Sequence, residues 1–334
     1  MKKQFALLVT TLFFAVALKA QNNITMLHHG GIVSTFSGTI GFVNAYNAAS
    51  TGDTIYLGGG IFTTPTTYNK GLIVFGAGYN IDSSIVTGAT LFTGGLNIYE
   101  GGDNSEFHGI TMAVWFYNTD IDNVAFNYCK FTGISYTGIY TAGSTCDNNQ
   151  YIRCHLAATA DFNTTNFLLL QNCLINYQVK NIHENGLIDH CIITFSPSPS
   201  SPLDQVSNSV ISNSKFSNAY FFYAAYITNG TNNLFTHNAF NTSFTDATNT
   251  FTGNYYGVVD ATFFVDPINY NYHLQSPGSY PGTDGDQICL YGGDFAWKDG
   301  SIPGNPHISF KNIGATSNED GTLDVEIKVT GQDN

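Results

Sequence analysis

The sequence predicts an all-β fold in which the chain winds as a parallel β-solenoid, with each turn stacked on the turn before it. Three observations predict this fold: a repeat of about 20 residues, apolar residues at fixed places within each repeat, and connecting stretches rich in Gly, Asn and Thr. A unit of this size cannot bury its own apolar side, so successive units have to stack. A leucine-rich repeat has a similar period, but its regular leucines and helical return stretch are missing from this sequence.

Eight hexapeptides carry the repeat, and we number their positions as slots one to six. Slot one holds Phe107, Phe126, Tyr151, Leu170, Ile188, Ile211, Phe235 and Phe251. Slot four holds Ile110, Cys129, Cys154, Cys173, Cys191, Ser214, Asn238 and Asn254. Slots one and six are apolar throughout, and slots two and three supply residues that tolerate a sharp bend. Because side chains alternate along a strand, slots four and six point inward and slot five points outward.

Two early segments resemble a known structural family. Residues 52–63 (GDTIYLGGGIFT) and 71–78 (GLIVFGAG) resemble the opening coil of the right-handed β-helix superfamily that includes pectate lyases, alginate lyases and polygalacturonases. The resemblance covers residues 40–295 and implies a right-handed, single-stranded parallel β-helix. It does not imply one particular activity, because this fold supports many functions.

The remaining segments predict the ends of the molecule. The chain divides into residues 1–20 (signal peptide), 21–298 (parallel β-helix with caps at both ends), 299–307 (linker) and 308–334 (short β-hairpin tail). Residues 40–50 have helical spacing and predict a short capping helix at the N-terminal end. Residues 263–297 are expected to cover the other end. His28 and His29 are interpreted as part of a mobile N-terminus.

The amino-acid composition argues against two classes of binding partner. Only 10% of the residues are charged, and the formal net charge is -13. That sign argues against nucleic acid and anionic membrane surfaces as partners, because both attract dense positive charge. The predicted signal peptide and the lack of a later membrane-spanning stretch indicate a monomeric, soluble protein that is secreted, extracellular or held at the cell surface.

Four of the six cysteines fall in slot four and therefore predict a column inside the solenoid. Parallel side chains in such a column have poor geometry for disulfides, so we expect buried thiols that act as small apolar groups. Disulfides remain the alternative in an exported chain, and a zinc site would need tetrahedral convergence. Cys146 and Cys289 lie outside the column and have no assigned role.

The candidate catalytic residues are Lys130, Arg153 and His155, which gather on one outer face across two adjacent coils. Some calcium-dependent lyases of the superfamily use a lysine base and an arginine about one coil away, and Lys130 and Arg153 are similar to that pair. Asp120 and Asp122 would then correspond to the acidic calcium ligands. No Glu-x-Glu pair precedes Lys130, however, and solvated charges on an outer face explain the same residues.

Other residues lead to simpler expectations. Lys215 in slot five is expected to be solvent-exposed and to cost little when replaced, whereas Phe216 in slot six is expected to be buried. The sequence Asp284-Gly285-Asp286 is interpreted as a turn. Tyrosine-rich runs at 219–227, 254–256 and 269–274 either stack on sugar rings or pack inside the solenoid.

These observations favour a secreted or surface-associated β-helix protein that contacts extracellular polysaccharide without turning it over. The first alternative is a calcium-dependent polysaccharide lyase that acts by β-elimination on a polyuronate. The second alternative is a structural or adhesive surface protein. Calcium is the one cofactor that any of these hypotheses invokes.

Overall fold

A computed structural model describes residues 23–331 except 81–87, 118–119, 138–145, 196–200, 219–225, 244–245, 302–306, 314–320 and 323. Its central feature is a parallel β-solenoid of about eight turns, as the repeat predicts. The predicted signal peptide, residues 1–20, lies outside the described residues. No helix in the described part of the chain is long and apolar enough to cross a bilayer.

One sheet forms the side of the solenoid that we call face one. In order of pairing, its strands are β2 (Ile32–Ser37), β1 (Ile24–His29), β3 (Thr54–Leu57), β5 (Ile73–Phe75), β8 (Glu106–His108), β10 (Ala125–Asn127), β12 (Gln150–Ile152), β15 (Leu169–Gln171), β18 (Leu187–Asp189), β21 (Val210–Ser212), β24 (Leu234–Thr236) and β26 (Thr250–Thr252). From β3 onward all pairs are parallel.

The second sheet bends around the rest of the solenoid and forms two further sides. Face two contains β4 (Gly60–Thr63), β6 (Thr90–Thr93), β9 (Thr111–Tyr117), β11 (Lys130–Thr137), β13 (His155–Leu156), β16 (Leu174–Ile175), β19 (Ile192–Phe195), β22 (Lys215–Asn218), β25 (Ala239–Phe240) and β27 (Tyr255–Tyr256). Face three contains β7 (Leu96–Ile98), β14 (Ala160–Asn166), β17 (Val179–Glu184), β20 (Leu203–Asp204) and β23 (Ile227–Thr228). The long strands β9 and β11 continue from face two into face three.

The strand register in the structure matches the alignment of the hexapeptides in the sequence. Phe126 pairs with Phe107 of the coil before it and with Tyr151 of the coil after it. The bend between faces one and two falls on slot three, where a single residue adopts left-handed backbone. The non-glycine bend residues, with φ between 50° and 53°, are Tyr128, Arg153, Asn172, His190, Asn213 and His237. The prediction that matched hexapeptides superimpose from turn to turn is therefore confirmed.

The predicted cysteine column is present, and its thiols are buried and free. Each thiol donates to a slot-one carbonyl of the preceding coil, as Cys173 does to Tyr151 at 3.1 Å. Asn238 makes the equivalent bond to the Ile211 carbonyl at 2.7 Å, so cysteine and asparagine fill slot four in the same way. Burial raises the pKa of Cys129 to about 12, which leaves its thiol protonated and unreactive. The expectation of buried thiols is confirmed, and Cys146 and Cys289 are also buried and in no disulfide.

The N-terminal end is covered by a hairpin and a helix. Strand β1 pairs antiparallel with both β2 and β3, and α1 (Gly41–Ala48) packs beside them, which confirms the helix predicted at 40–50. The interpretation of His28 and His29 as mobile is wrong because both lie in β1. The His29 ring is fixed by Asp53, with 2.7 Å between Nδ1 and Oδ2.

Residues 258–301 form a segment that we call the cap. It contains α2 (Asp260–Phe263), β28 (Phe264–Asp266), a 3-10 turn (Pro267–Asn269), β29 (Asn271–Leu274) and a second 3-10 turn (Pro277–Ser279). The sequence placed a cap over the C-terminal end, whereas this cap lies along the outside of face two. Beyond it, β30 (His307–Ile313) and β31 (Val325–Thr330) form the predicted antiparallel hairpin.

Two hydrophobic clusters stabilise these elements. The first fills the solenoid, where aromatic rings stack from coil to coil: the ring centroids of Phe107 and Phe126 are 5.3 Å apart, and those of Phe126 and Tyr151 are 4.9 Å apart. The second lies outside the solenoid, between face two and the cap. Its members are Leu174, Ile192, Ala239, Val258, Phe263, Phe264, Tyr272, Leu274, Ile288, Cys289 and Leu290. The cap is therefore attached by a core of its own.

Candidate functional site

The bend residues of slot three anchor the cap on the solenoid. The Asn172 amide donates to the backbone carbonyls of Leu290 and Gly292 at 2.9 and 2.8 Å. Two coils further on, the Asn213 side-chain oxygen accepts a hydrogen bond from the Thr283 backbone N–H at 2.8 Å. Because a bend recurs in every coil, its side chains form a row of anchors along which the cap lies.

Lys215 shows what the cap does to slot five. Its side chain is 0% exposed, and Nζ lies 2.9 Å from Oδ1 of Asp260 in α2, as an ion pair rather than a well-aligned hydrogen bond. Nζ also donates to the Phe216 carbonyl at 2.9 Å and to the Asn241 side chain. Burial lowers the pKa of Lys215, and Asp260 opposes that shift. The prediction that Lys215 is solvent-exposed is wrong, because the cap covers this part of face two.

A cleft of about 530 Å3 opens where the cap leaves face two. Its floor is formed by slot-five side chains of three successive coils: Lys130, His155 and Leu174. Its walls come from the cap and from the loop after β5. Five aromatic side chains line it: Tyr79, Tyr270, Tyr272, Tyr291 and Trp297. A concave site with aromatic rings and a few polar groups is typical of a ligand-binding site.

Lys130 and His155 lie side by side on the floor because their strands pair in register. The Asn176 amide lies 3.0 Å from Nε2 of His155, and its oxygen accepts from the Thr194 hydroxyl at 3.0 Å. An amide nitrogen only donates, so this orientation makes Nε2 the acceptor and places the ring proton on Nδ1. Burial, assisted by the charge of Lys130, lowers the pKa of His155 to about 4. The imidazole is therefore neutral at pH 7.

The cap side of the cleft holds oriented phenol groups. The Tyr291 hydroxyl donates to Asp299 Oδ1 at 2.7 Å, and its ring stacks on His273 with centroids 3.7 Å apart. Across the cleft, the Tyr79 hydroxyl donates to Ser301 Oγ at 2.8 Å. Burial raises the pKa of both phenols, so both remain neutral hydrogen-bonding groups. Asp299 and Ser301, which the sequence assigned to a linker, are therefore part of the site.

Arg153, the third candidate catalytic residue, does not line the cleft. Its Nε donates to the backbone carbonyls of Phe295 and Ala296 at 2.9 and 3.0 Å. Its guanidinium carbon lies 5.1 Å from the Tyr128 ring centroid and 5.6 Å from that of Phe295. The structure thus brings Lys130 and His155 together and uses Arg153 to hold the cap.

Asp120 and Asp122, the candidate calcium ligands, lie between β9 and β10 and do not line the cleft. The Asp122 side-chain oxygen Oδ1 accepts a hydrogen bond from the Asp147 backbone N–H at 2.7 Å. The Asp103 side chain in turn accepts one from the Asp122 backbone N–H at 2.9 Å. These carboxylates link one coil to the next. In the described ranges no group of three or more His, Cys, Asp or Glu side chains could hold a metal ion. Calcium binding remains a prediction from the sequence.

Sequence reasoning missed most of the cleft. Tyr270 and Tyr272 belong to a tyrosine-rich run that it singled out, but Tyr79, Tyr291 and Trp297 carried no signal. These three residues are far apart in the chain and meet only because the cap folds back. Residues 219–225 of another aromatic run lie outside the described residues.

Comparisons with known proteins leave the function to be argued from this site. No model of a known protein family matches the chain, and no curated protein matches it significantly. The resemblance of residues 52–63 and 71–78 to one superfamily therefore remains a prediction. The geometry of the cleft is the strongest functional information that the molecule offers.

Proposed function

We propose that the cleft binds a segment of an extracellular polysaccharide and that the protein holds this chain without cleaving it. The observation that supports the proposal is the convergence of five aromatic side chains with Lys130, His155, Asp299 and Ser301 in one cleft. A sugar ring has apolar C–H faces and polar edges. Aromatic rings can stack on those faces while nearby hydroxyl, carboxylate and amino groups bond the edges.

The proposal includes export and membership of the pectate-lyase-like superfamily. Lys2 and Lys3 followed by an apolar run and Ala20 are typical of a secretory signal peptide. An exported protein meets polysaccharides at the cell surface and in the surrounding medium. The low content of charged residues suits a partner that is recognised mainly by stacking and hydrogen bonds.

A lyase acting on a polyuronate is the second candidate, and the pairing of Lys130 with His155 favours it. A cation beside the substrate carboxylate and a base for the C5 proton are what β-elimination requires. Neutral His155 would accept that proton at Nε2 only after the Asn176 amide leaves this nitrogen. The engagement of Arg153 with cap carbonyls supports binding over cleavage, because it removes one catalytic candidate from the cleft. A purely structural or adhesive protein is the third candidate.

The proposal is tested by measuring retention on alginate, pectate and glycosaminoglycan panels. Tyr270 lines the cleft and is 68% exposed, so Tyr270→Ala removes a stacking surface with little effect on the core. Loss of one aromatic stacking contact is expected to weaken binding about tenfold. Tyr177→Ala is the matched control, because Tyr177 is 45% exposed and lies outside the cleft.

Three outcomes count against binding without cleavage. Absence of retention on every glycan favours the structural or adhesive role. Equal losses for Tyr270→Ala and Tyr177→Ala would place binding elsewhere on the surface. Formation of an unsaturated product that absorbs in the ultraviolet, with calcium present, supports the lyase if His155→Ala or Lys130→Ala abolishes it.

A further inference from the structure

A cluster of three titratable side chains, centred on the buried His190, fastens the cap close to the cleft. His190, a bend residue with a side chain 1% exposed, lies between two carboxylates. Its Nδ1 is 2.9 Å from Oδ2 of Asp189, and its Nε2 is 3.4 Å from Oδ2 of Asp284 in the cap. The imidazole packs against Gly293, where an added Cβ would come within 2.9 Å of the ring. The solenoid and the cap thus meet through one imidazole.

The protonation state of His190 decides whether this contact is attractive. A neutral imidazole has one N–H and one lone pair, so either tautomer turns a lone pair toward a carboxylate. The imidazolium instead presents an N–H to each carboxylate. The contact to Asp284 is an ion pair without good hydrogen-bond alignment, so its strength depends on the positive charge. The docked geometry is therefore complementary to protonated His190.

The neighbouring groups support a charged imidazole. Ser212 and Asn213 donate to Asp189 Oδ1 at 2.7 and 2.9 Å, and Gln171 donates to Oδ2 at 3.2 Å. Burial alone would raise the pKa of Asp189, but His190, Ser212 and Asn213 lower it overall.

Asp286 adds another carboxylate on the cap side. It accepts from the Gly293 backbone N–H at 3.2 Å. Among the described residues, no lysine or arginine forms an ion pair with Asp189 or Asp284. His190 is thus the one basic side chain paired with Asp189 and Asp284 in the described part of the chain.

We propose that proton binding to His190 docks the cap segment 281–297 and thereby completes the wall of the cleft. Docking takes up one proton, and loss of that proton leaves a buried lone pair against Asp284. The segment also carries Tyr291 and Trp297, which line the cleft. Cap docking is therefore favoured while His190 carries two ring protons and weakens when one of them is lost. The consequence for glycan affinity rests on the proposed function, whereas the docking itself does not.

The test uses Trp297 as a reporter without any ligand. The chain has two tryptophans, so Trp115→Phe leaves Trp297 as the only one. As the pH is raised from about 5 to about 8, the emission of Trp297 is expected to shift to longer wavelength in one single-proton transition. Hydrogen-exchange protection of residues 288–293 is expected to fall about tenfold over the same range.

Further substitutions, made in the Trp115→Phe protein, test whether His190 is the group that causes the transition. His190→Gln should abolish it, and Asp284→Asn should move it to lower pH because the imidazolium loses one carboxylate. His237→Gln is the matched control: His237 is a bend residue with φ of 52°, and its Nδ1 lies 2.9 Å from the Thr236 hydroxyl. His237 forms no ion pair in the described part of the chain, so its replacement should leave the transition unchanged.

The proposal is overturned if the parent shows no transition, if the transition persists in His190→Gln, or if His237→Gln removes it. Should His190→Gln fail to fold, the Asp284→Asn shift decides, and an unshifted transition contradicts the proposal. A protein that shows the transition but binds no glycan keeps this inference and loses the proposed function.

Discussion

The two halves of face two carry the same slot of the same repeat, yet their side chains have different surroundings. In the early coils, Lys130 and His155 line a cleft. In the later coils, Ile192, Lys215 and Ala239 are completely buried beneath the cap. All five side chains point away from the solenoid interior, so direction within the coil does not decide exposure. Whether the cap packs directly on a side chain or stands away from it as a cleft wall decides its exposure.

The difference also explains why a lysine can occupy a buried slot. Lys215 has Asp260 of α2 as its ion-pair partner, together with two further oxygen acceptors. Lys130 lies on the floor of a cleft that water can enter. A buried charge is tolerated only with such partners, whereas a charge in contact with water needs none.

The largest effect is expected inside the solenoid. Phe216 is 1% exposed and stacks on Phe240 with ring centroids 5.0 Å apart. Phe216→Ala should lower the free energy of unfolding by about 3–5 kcal/mol, because it leaves a cavity in the core. Denaturant unfolding measures this value, and a loss below about 1 kcal/mol would contradict the inward assignment of slot six.

A matched pair of lysine substitutions tests the comparison of the two halves directly. Lys215→Ala leaves Asp260 without its cation and should cost about 3 kcal/mol of stability. Lys130→Ala, in the same slot outside the cap, should cost less than about 0.5 kcal/mol. Both values come from denaturant unfolding at neutral pH. Similar losses for the two variants would show that the cap does not distinguish the two halves of face two.

Acid should destabilise the early coils of face two through protonation of His155. Its pKa is lowered from 6.5 to about 4, so the unfolded chain binds the proton more readily than the native protein does. The stabilisation present at neutral pH therefore declines below pH 6.5 and is lost by about pH 4, on the order of 3 kcal/mol in all. Unfolding curves across this range measure the loss. In His155→Gln this part of the pH dependence should disappear, and an unchanged profile would contradict the assignment.

The smallest effect concerns the anchors between solenoid and cap. Asn172→Ala removes two hydrogen bonds to the cap and places alanine at a φ of 50°, for an expected cost of about 2 kcal/mol. Asn172→Gly removes the same bonds without backbone strain and should cost about 1 kcal/mol. Hydrogen exchange at residues 290–292 reports the loss locally. Equal costs for the two variants would mean that the left-handed bend adds no strain.

Much of the solenoid could be predicted from the sequence because the repeat is a local pattern. The slot-one register from Phe107 to Phe251 and the burial of Cys129, Cys154, Cys173 and Cys191 follow from side-chain alternation and stacking. The candidate site could be predicted only in part. Lys130 and His155 were named because they share a slot, whereas Tyr79, Tyr291 and Trp297 share no pattern at all.

The sequence by itself determined which side chains of the eight hexapeptides point inward, because a strand with period two and a fixed repeat leaves no other way to bury its apolar residues. Only the tertiary structure decided which outward side chains are exposed, which one is a buried lysine, and where a cleft forms. The cap folds back onto face two through contacts between residues distant in the chain. Such contacts depend on shape and hydrogen-bond partners rather than on any periodic signal.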